Sequence, residues 1–176
     1  MQKNLDIMSN CNVRRELELY EPMCKWLKQL LEYKFRKQKC EIIVEDTHAI
    51  SLDVVLENHG IISDYPQAVG LDIQIDVIGI VKLSSESKLT FIEAKKTPLS
   101  LHDLGQLWAY CKLINPDSAY LLSSSGLGSL DKILKNLKRE DMLDFGDGRT
   151  IKKMKVATWD IKRGSIDNNS IVPRIQ

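Results

Sequence analysis

The chain has 176 residues, 43% of them hydrophobic and 28% charged, with a net charge of +1. That length and apolar share fit one domain over residues 1–176 and exclude a disordered chain. The near-neutral balance excludes the strong basicity of a nonspecific nucleic-acid coat protein, and no apolar run reaches the roughly 20 residues of a membrane span.

Residues 1–12 form a polar leader without the apolar stretch of a secretory signal, so a cytoplasmic protein is expected. A helix is predicted over 14–36, where Leu17, Tyr20, Cys24, Leu27 and Leu31 make a stripe at 3–4 spacing. Residues 41–45 begin a strand, which 51–56 continues or pairs with. Residues 57–70, with Pro66 and two glycines, are loop-like. Strands near 72–82 and 88–95 follow, joined as a hairpin through Ser84–Ser87. Pro98 ends the second strand, and Ser100 is the N-cap of a helix over 100–114. A buried strand at 119–123, an amphipathic helix over 129–143, a turn at 145–148 and a strand at 154–159 complete the order, and 162–176 is a polar tail. The alternation implies an α/β fold with a central mixed β-sheet flanked by helices.

The chemistry concentrates in the hairpin. Asp76 lies inside the apolar run Ile73–Val81, and Glu93 and Lys95 end the run that begins at Leu89. Residues i and i+2 of a strand share a face, so Glu93 and Lys95 project together. Charges on buried strands are costly unless they pair or bind an ion. Two carboxylates around a divalent cation, with a lysine beside them, remove that cost and make a phosphodiester-cleaving site. Asp72 and Gln74 share the face of Asp76 on a regular strand, which makes Asp72 the alternative ligand. The plainer reading is a strand-end aspartate satisfied by amides beside an ordinary Glu93–Lys95 ion pair.

Other candidates are weaker. Cys11, Cys24, Cys40 and Cys111 are scattered without zinc-ligand spacing. His48, His59 and His102 are isolated surface histidines by pattern, with His102 and Asp103 near the site, and Trp26, Trp108 and Trp159 are expected in the core. Basic residues cluster at Lys34–Lys39, Lys132–Arg139 and Arg149–Lys155. Each cluster taken alone is an ordinary solvated face, although phosphate contacts use the same residue types.

Ile75-Asp76, a spacer and Glu93-Ala94-Lys95 together resemble the PD-(D/E)xK nuclease superfamily, with Ile75 in place of the proline. Gln106 and Tyr110, four apart on the following helix, resemble the Q-x-x-x-Y helix of one branch of that superfamily. The resemblance covers about residues 14–125 and implies a restriction-endonuclease-like core of helix, three strands, helix and strand. It implies Mg²⁺, replaceable by Mn²⁺, held by Asp76, Glu93 and the Ala94 carbonyl. Lys95 and Gln106 then act on water and phosphate, and Tyr110 and Lys96 are candidate DNA contacts. Members often carry a metal-facing glutamate on the first helix. On helical geometry Glu21 lies about 85° from the centre of the apolar stripe and Glu18 about 145°, so Glu21 is preferred, unless Pro22 starts the helix and makes it a cap.

The function expected on this resemblance is a Mg²⁺-dependent DNA endonuclease, restriction-type or structure-selective like a junction resolvase, acting as a homodimer. The alternatives are a partner-dependent nuclease subunit of a mobile-element or defence system, and a binding module that keeps the fold without activity. Retention of Asp76, Glu93 and Lys95 together argues against the last.

Overall fold

The computed structural model describes residues 13–174; the leader 1–12, with Cys11, lies outside them. Its centre is a six-stranded mixed sheet of β1 (Glu41–Asp46), β2 (Val77–Lys82), β3 (Ser87–Lys95), β4 (Ser118–Ser123), β7 (Lys155–Asp160) and β8 (Ser165–Ile166), in that spatial order. The pairs β1–β2 and β2–β3 are antiparallel, β3–β4 and β4–β7 parallel, and β7–β8 antiparallel. A separate two-stranded ribbon joins β5 (Asp144–Gly146) to β6 (Ile151–Lys153). Among the described residues no helix is long and apolar enough to cross a membrane.

Both faces of the sheet are covered. Helix α1 (Tyr20–Phe35) lays Tyr20, Met23, Leu27, Leu31 and Phe35 against Val77, Val81, Ile92, Ala94 and Trp159. Gly79 makes that approach possible, because a Cβ there would lie 2.8 Å from Leu31 Cδ1. Helices α2 (Leu52–Asn58) and α3 (Leu101–Ile114) cover the other face, over Ile78, Ile80, Leu89, Phe91, Leu121 and Val156. The middle of β2, β3 and β4 is largely apolar on both faces, as a sheet covered on both sides requires, with Thr90, Glu93 and Ser123 as buried polar exceptions.

The hairpin, the Ser100 cap and the order of the major elements follow the sequence pattern. Ser100 Oγ accepts from the Asp103 amide and Asp103 returns a bond to the Ser100 amide, closing a capping box.

Four segments differ. Residues 52–56 belong to a helix, not a strand, with Leu52, Val55 and Leu56 buried at helical spacing, and Ser51 alone makes a β-bridge, to Gln74. Strand β2 starts only at Val77, and Asp72 takes a left-handed φ of 50° and is exposed, which removes it as the alternative ligand. The expected 129–143 helix breaks into a single α turn (Ser129–Asp131), a π turn (Lys132–Asn136) and a 3₁₀ turn (Glu140–Leu143). The polar tail docks: Ile166, Ile171 and Val172 are buried, and Val172 bridges Val156 as a further edge of the sheet. Of the tryptophans, Trp159 is core, Trp26 is half-buried, and Trp108 is 39% exposed with its indole N–H donating to the Asp144 carbonyl.

Candidate active site

The end of β3 brings the predicted charges together. Asp76 lies in the bend just before β2, whose Val77 pairs with Ile92 of β3, and this brings its carboxylate against the Ala94 amide and close enough to Glu93 for the two charges to interact. Asp76 stands just outside the strand ladder, and its neighbours fix it. Thr47 donates from its amide to the Asp76 carbonyl (2.9 Å) and from Oγ1 to the Ile75 carbonyl (2.6 Å). The carboxylate accepts from Tyr20 O–H through Oδ1 (3.1 Å) and from the Ala94 amide through Oδ2 (2.8 Å).

Glu93 is 2% exposed. Its Oε1 accepts from Lys95 Nζ at 2.7 Å and from Gln106 Nε2 at 3.2 Å. Its Oε2 is buried and has no hydrogen-bond partner among the described residues. A buried carboxylate oxygen left bare is costly. Burial, and then the charge of Asp76, push the Glu93 carboxyl up to about 7, and the Lys95 ammonium only partly opposes them. Asp76 is also raised, mainly by burial, against the Ala94 amide and the Lys95 charge. Burial pulls Lys95 down, but Glu93 beside it outweighs that, so Lys95 is raised and stays an ammonium ion. Burial and the neighbouring Asp76 hold the Tyr20 hydroxyl protonated, so it serves Asp76 as a permanent donor.

The predicted residues divide clearly. Asp76, Glu93, Lys95 and Gln106 meet in one place. Ala94 contributes its amide to Asp76 while its methyl is buried against the α1 layer. Tyr110 is part-buried against the apolar cluster under α3. Lys96 is exposed, and its amine donates to the Arg14 carbonyl. His102 is exposed, and Asp103 is occupied by the helix cap.

Glu21 is corrected. It points to solvent, pairs with Lys25 at 2.7 Å, and that contact lowers its pKa. The reason lies one turn earlier, where Glu16–Leu19 form a 3₁₀ turn and α1 starts at Tyr20. Leu17 is therefore off the helix and 49% exposed, and the buried stripe runs through Tyr20, Met23, Leu27, Leu31 and Phe35, which leaves Glu21 on the solvent side. Glu16 comes to the site instead: Oε2 accepts from the Lys96 amide at 3.0 Å, and Oε1 lies 4.0 Å from Lys95 Nζ. A 3₁₀ turn ahead of a helix leaves no mark in apolar spacing, so nothing in the sequence singled out Glu16.

Two further residues were also missed. Tyr20 supplies a hydrogen bond from within the expected core stripe. His48, expected to be isolated, stacks on the Tyr20 ring (centroids 5.1 Å apart) and holds Asp46 Oδ1 at 2.6 Å through Nδ1.

Among the described residues no three His, Cys, Asp or Glu side chains form a ready cation cage. The donor chemistry nevertheless suits a hard divalent ion: two carboxylates close enough for their charges to interact, one with a bare buried oxygen. Comparison with protein-family models, with curated proteins and with solved structures returns no match for this chain.

Proposed function

We propose that this chain is a metal-dependent nuclease that hydrolyses phosphodiester bonds in DNA. The observation that carries the reading is Glu93: a carboxylate 2% exposed, close to Asp76, bonded to Lys95 and Gln106 through one oxygen and bare at the other. As a purely structural ion pair, Glu93–Lys95 would leave an unsatisfied buried oxygen next to a second carboxylate. A cation between Asp76 and Glu93 removes both penalties.

The element order supports the same reading. Helix α1, strands β1, β2 and β3, helix α3 and strand β4, with α2 inserted after β1, follow the order of a restriction-endonuclease-like core.

In this reading Asp76 and Glu93 would hold Mg²⁺ or Mn²⁺. When bound, such an ion supplies positive charge against the phosphate and acidifies water. Lys95 enters as an ammonium, not a base: it orients the attacking water and stabilises charge developing on the phosphoryl oxygens. Gln106 fixes Glu93, and Tyr20 and the Ala94 amide fix Asp76. Duplex cleavage needs two such sites, so the active form is a homodimer.

The test is incubation of supercoiled circular DNA with Mg²⁺, beside EDTA and Lys95→Ala samples. Nicking or linearisation by the unaltered protein alone is expected. Failure on circular DNA and then on a four-way junction would rule out an autonomous nuclease.

A further inference from the structure

Next to β7, where Val172 bridges Val156, basic residues from three parts of the chain close on one cleft of about 900 Å³. Lys135, Lys138, Lys153 and Arg174 line it, Glu140 is its one carboxylate among the described residues, and Ile171 and Val172 form part of its floor. Lys135 is engaged with Asp131 at 2.7 Å, and Lys153 with Asp144. Lys138 and Arg174 meet no carboxylate within 4.0 Å among the described residues. Of the other basic residues of the same sequence clusters, Lys132 and Arg149 are exposed outside the cleft and three are engaged elsewhere. Lys152 donates to the Asn115 and Pro116 carbonyls, Lys155 lies over the Tyr120 ring, and Arg139 pairs with Asp141.

The backbone that presents these cations is irregular. The π turn Lys132–Asn136 is followed by Lys138 in the left-handed region, with φ 54°. Leu137 N donates to the Lys132 carbonyl and Arg139 N to the Ile133 carbonyl, which locks the distortion. Left-handed non-glycine residues and π turns cost free energy and concentrate at functional sites. Here the distortion points to the one lysine of the cleft without a carboxylate partner.

The sheet register locates the cleft. Glu93 is level with Leu121, Leu121 with Val156, and Val156 with Val172. Three strand spacings put Val172 about 14 Å from Glu93. Leu134 and Val172 belong to the apolar cluster on the face that α3 covers, where Gln106 of α3 meets Glu93. Ile171, also in the floor, belongs to the cluster under α1, so the cleft sits where the two layers meet, level with Glu93 along the sheet. Its separation from Glu93 is about four stacked nucleotides at roughly 3.4 Å each.

We propose that this cleft binds the phosphodiester backbone of a nucleic-acid strand beside the Asp76–Glu93 pair. Choosing nucleic acid among polyanions rests on the nuclease reading. Among the described residues the cleft walls carry no aromatic side chain on which a base could stack, so its contacts are to phosphates and independent of sequence.

The test is binding of a fluorescein-labelled duplex of roughly 20 base pairs in EDTA, as a function of salt. The double variant Lys138→Glu/Arg174→Glu is expected to bind at least about tenfold more weakly near 0.1 M salt. Its plot of log affinity against log salt should be shallower by about two, at about 0.9 for each phosphate no longer neutralised. Lys138→Gly places glycine where φ suits it, so it should melt no lower than the unaltered protein while binding about threefold more weakly. Lys25→Glu, on the helix covering the face opposite α3, should leave affinity within about twofold. Unchanged affinity and slope in the double variant overturn the proposal, as does an equal loss in Lys25→Glu. Cleavage in Mg²⁺ is scored separately: weakened binding by the cleft variants of a protein that never cuts leaves the cleft standing and sinks the nuclease reading.

Discussion

Strand β3 has two faces that behave differently. Toward α1 it presents Ile92 and Ala94, both buried among Met23, Leu27 and their neighbours with no polar atom to satisfy. Toward α3 it presents Phe91, then Glu93 and Lys95, so apolar packing gives way to charge over three alternate positions. The α1 face stabilises the fold. The α3 face at the same level carries a carboxylate that burial opposes, held by one lysine and one glutamine. One strand thus combines a stabilising side with a costly one, the pattern expected where a rigid element supports a reactive group.

The largest expected effect breaks the costly face. Glu93→Gln should abolish cleavage, by about 10³-fold or more if the carboxylate holds the cation. It should also change the pH dependence of stability. A carboxyl raised to about 7 in the fold stabilises fully below its unfolded value near 4.5 and loses that contribution as pH rises through 7. The metal-free parent should therefore melt progressively lower from pH 5 to 8 relative to Glu93→Gln. Calorimetry with EDTA across that range decides it, and parallel curves would refute the buried-carboxylate account. In the parent, Mg²⁺ affinity should climb with pH, by up to about tenfold per unit below 7.

Breaking the stabilising face should do the reverse. Ile92→Ala should cost about 2–5 kcal/mol, as removal of a fully buried aliphatic side chain does, with cleavage per folded molecule unchanged. Urea titration and activity at equal folded concentration would separate the two effects. A large activity loss in the folded fraction would mean the faces are not independent.

Smaller effects sharpen the comparison at its border. Glu16→Gln should lower cleavage by about tenfold, through the Lys95 and Lys96 contacts, whereas Glu21→Gln should change it by less than about twofold. Equal losses would restore the helix-phase expectation. Tyr20→Phe deletes only the hydroxyl that orients Asp76, and should weaken Mg²⁺ binding by about tenfold at most, with the melting temperature little altered.

Much of the fold was legible because β2, β3, α3 and β4 carry strong periodic signals and a capping box. Asp76, Glu93 and Lys95 were legible because charge stands out against apolar runs, and Gln106 because it stands four residues before Tyr110 on the helix that follows them. Residues 52–56 were misread because Val54, Val55 and Leu56 favour a strand, although burial at 52, 55 and 56 follows helical spacing. Glu16 and Tyr20 were hidden because their roles depend on a 3₁₀ turn and on a contact 56 residues distant. The cleft was hidden because its cations come from separate clusters and the tail, each an ordinary surface run until the fold gathers them.

Strand β1 has a further consequence. It pairs with β2 on one side only and so forms an edge of the sheet. An open edge invites another chain to add a strand and seed aggregation. This edge is guarded by the acidic residues Glu41, Glu45 and Asp46, two of them tied to histidines as Glu45–His59 and Asp46–His48. The same His48 lies on Tyr20, which holds Asp76. Protection against self-assembly and support of the candidate site therefore converge on one imidazole, so a substitution at His48 should be felt as lost solubility as well as lost metal affinity.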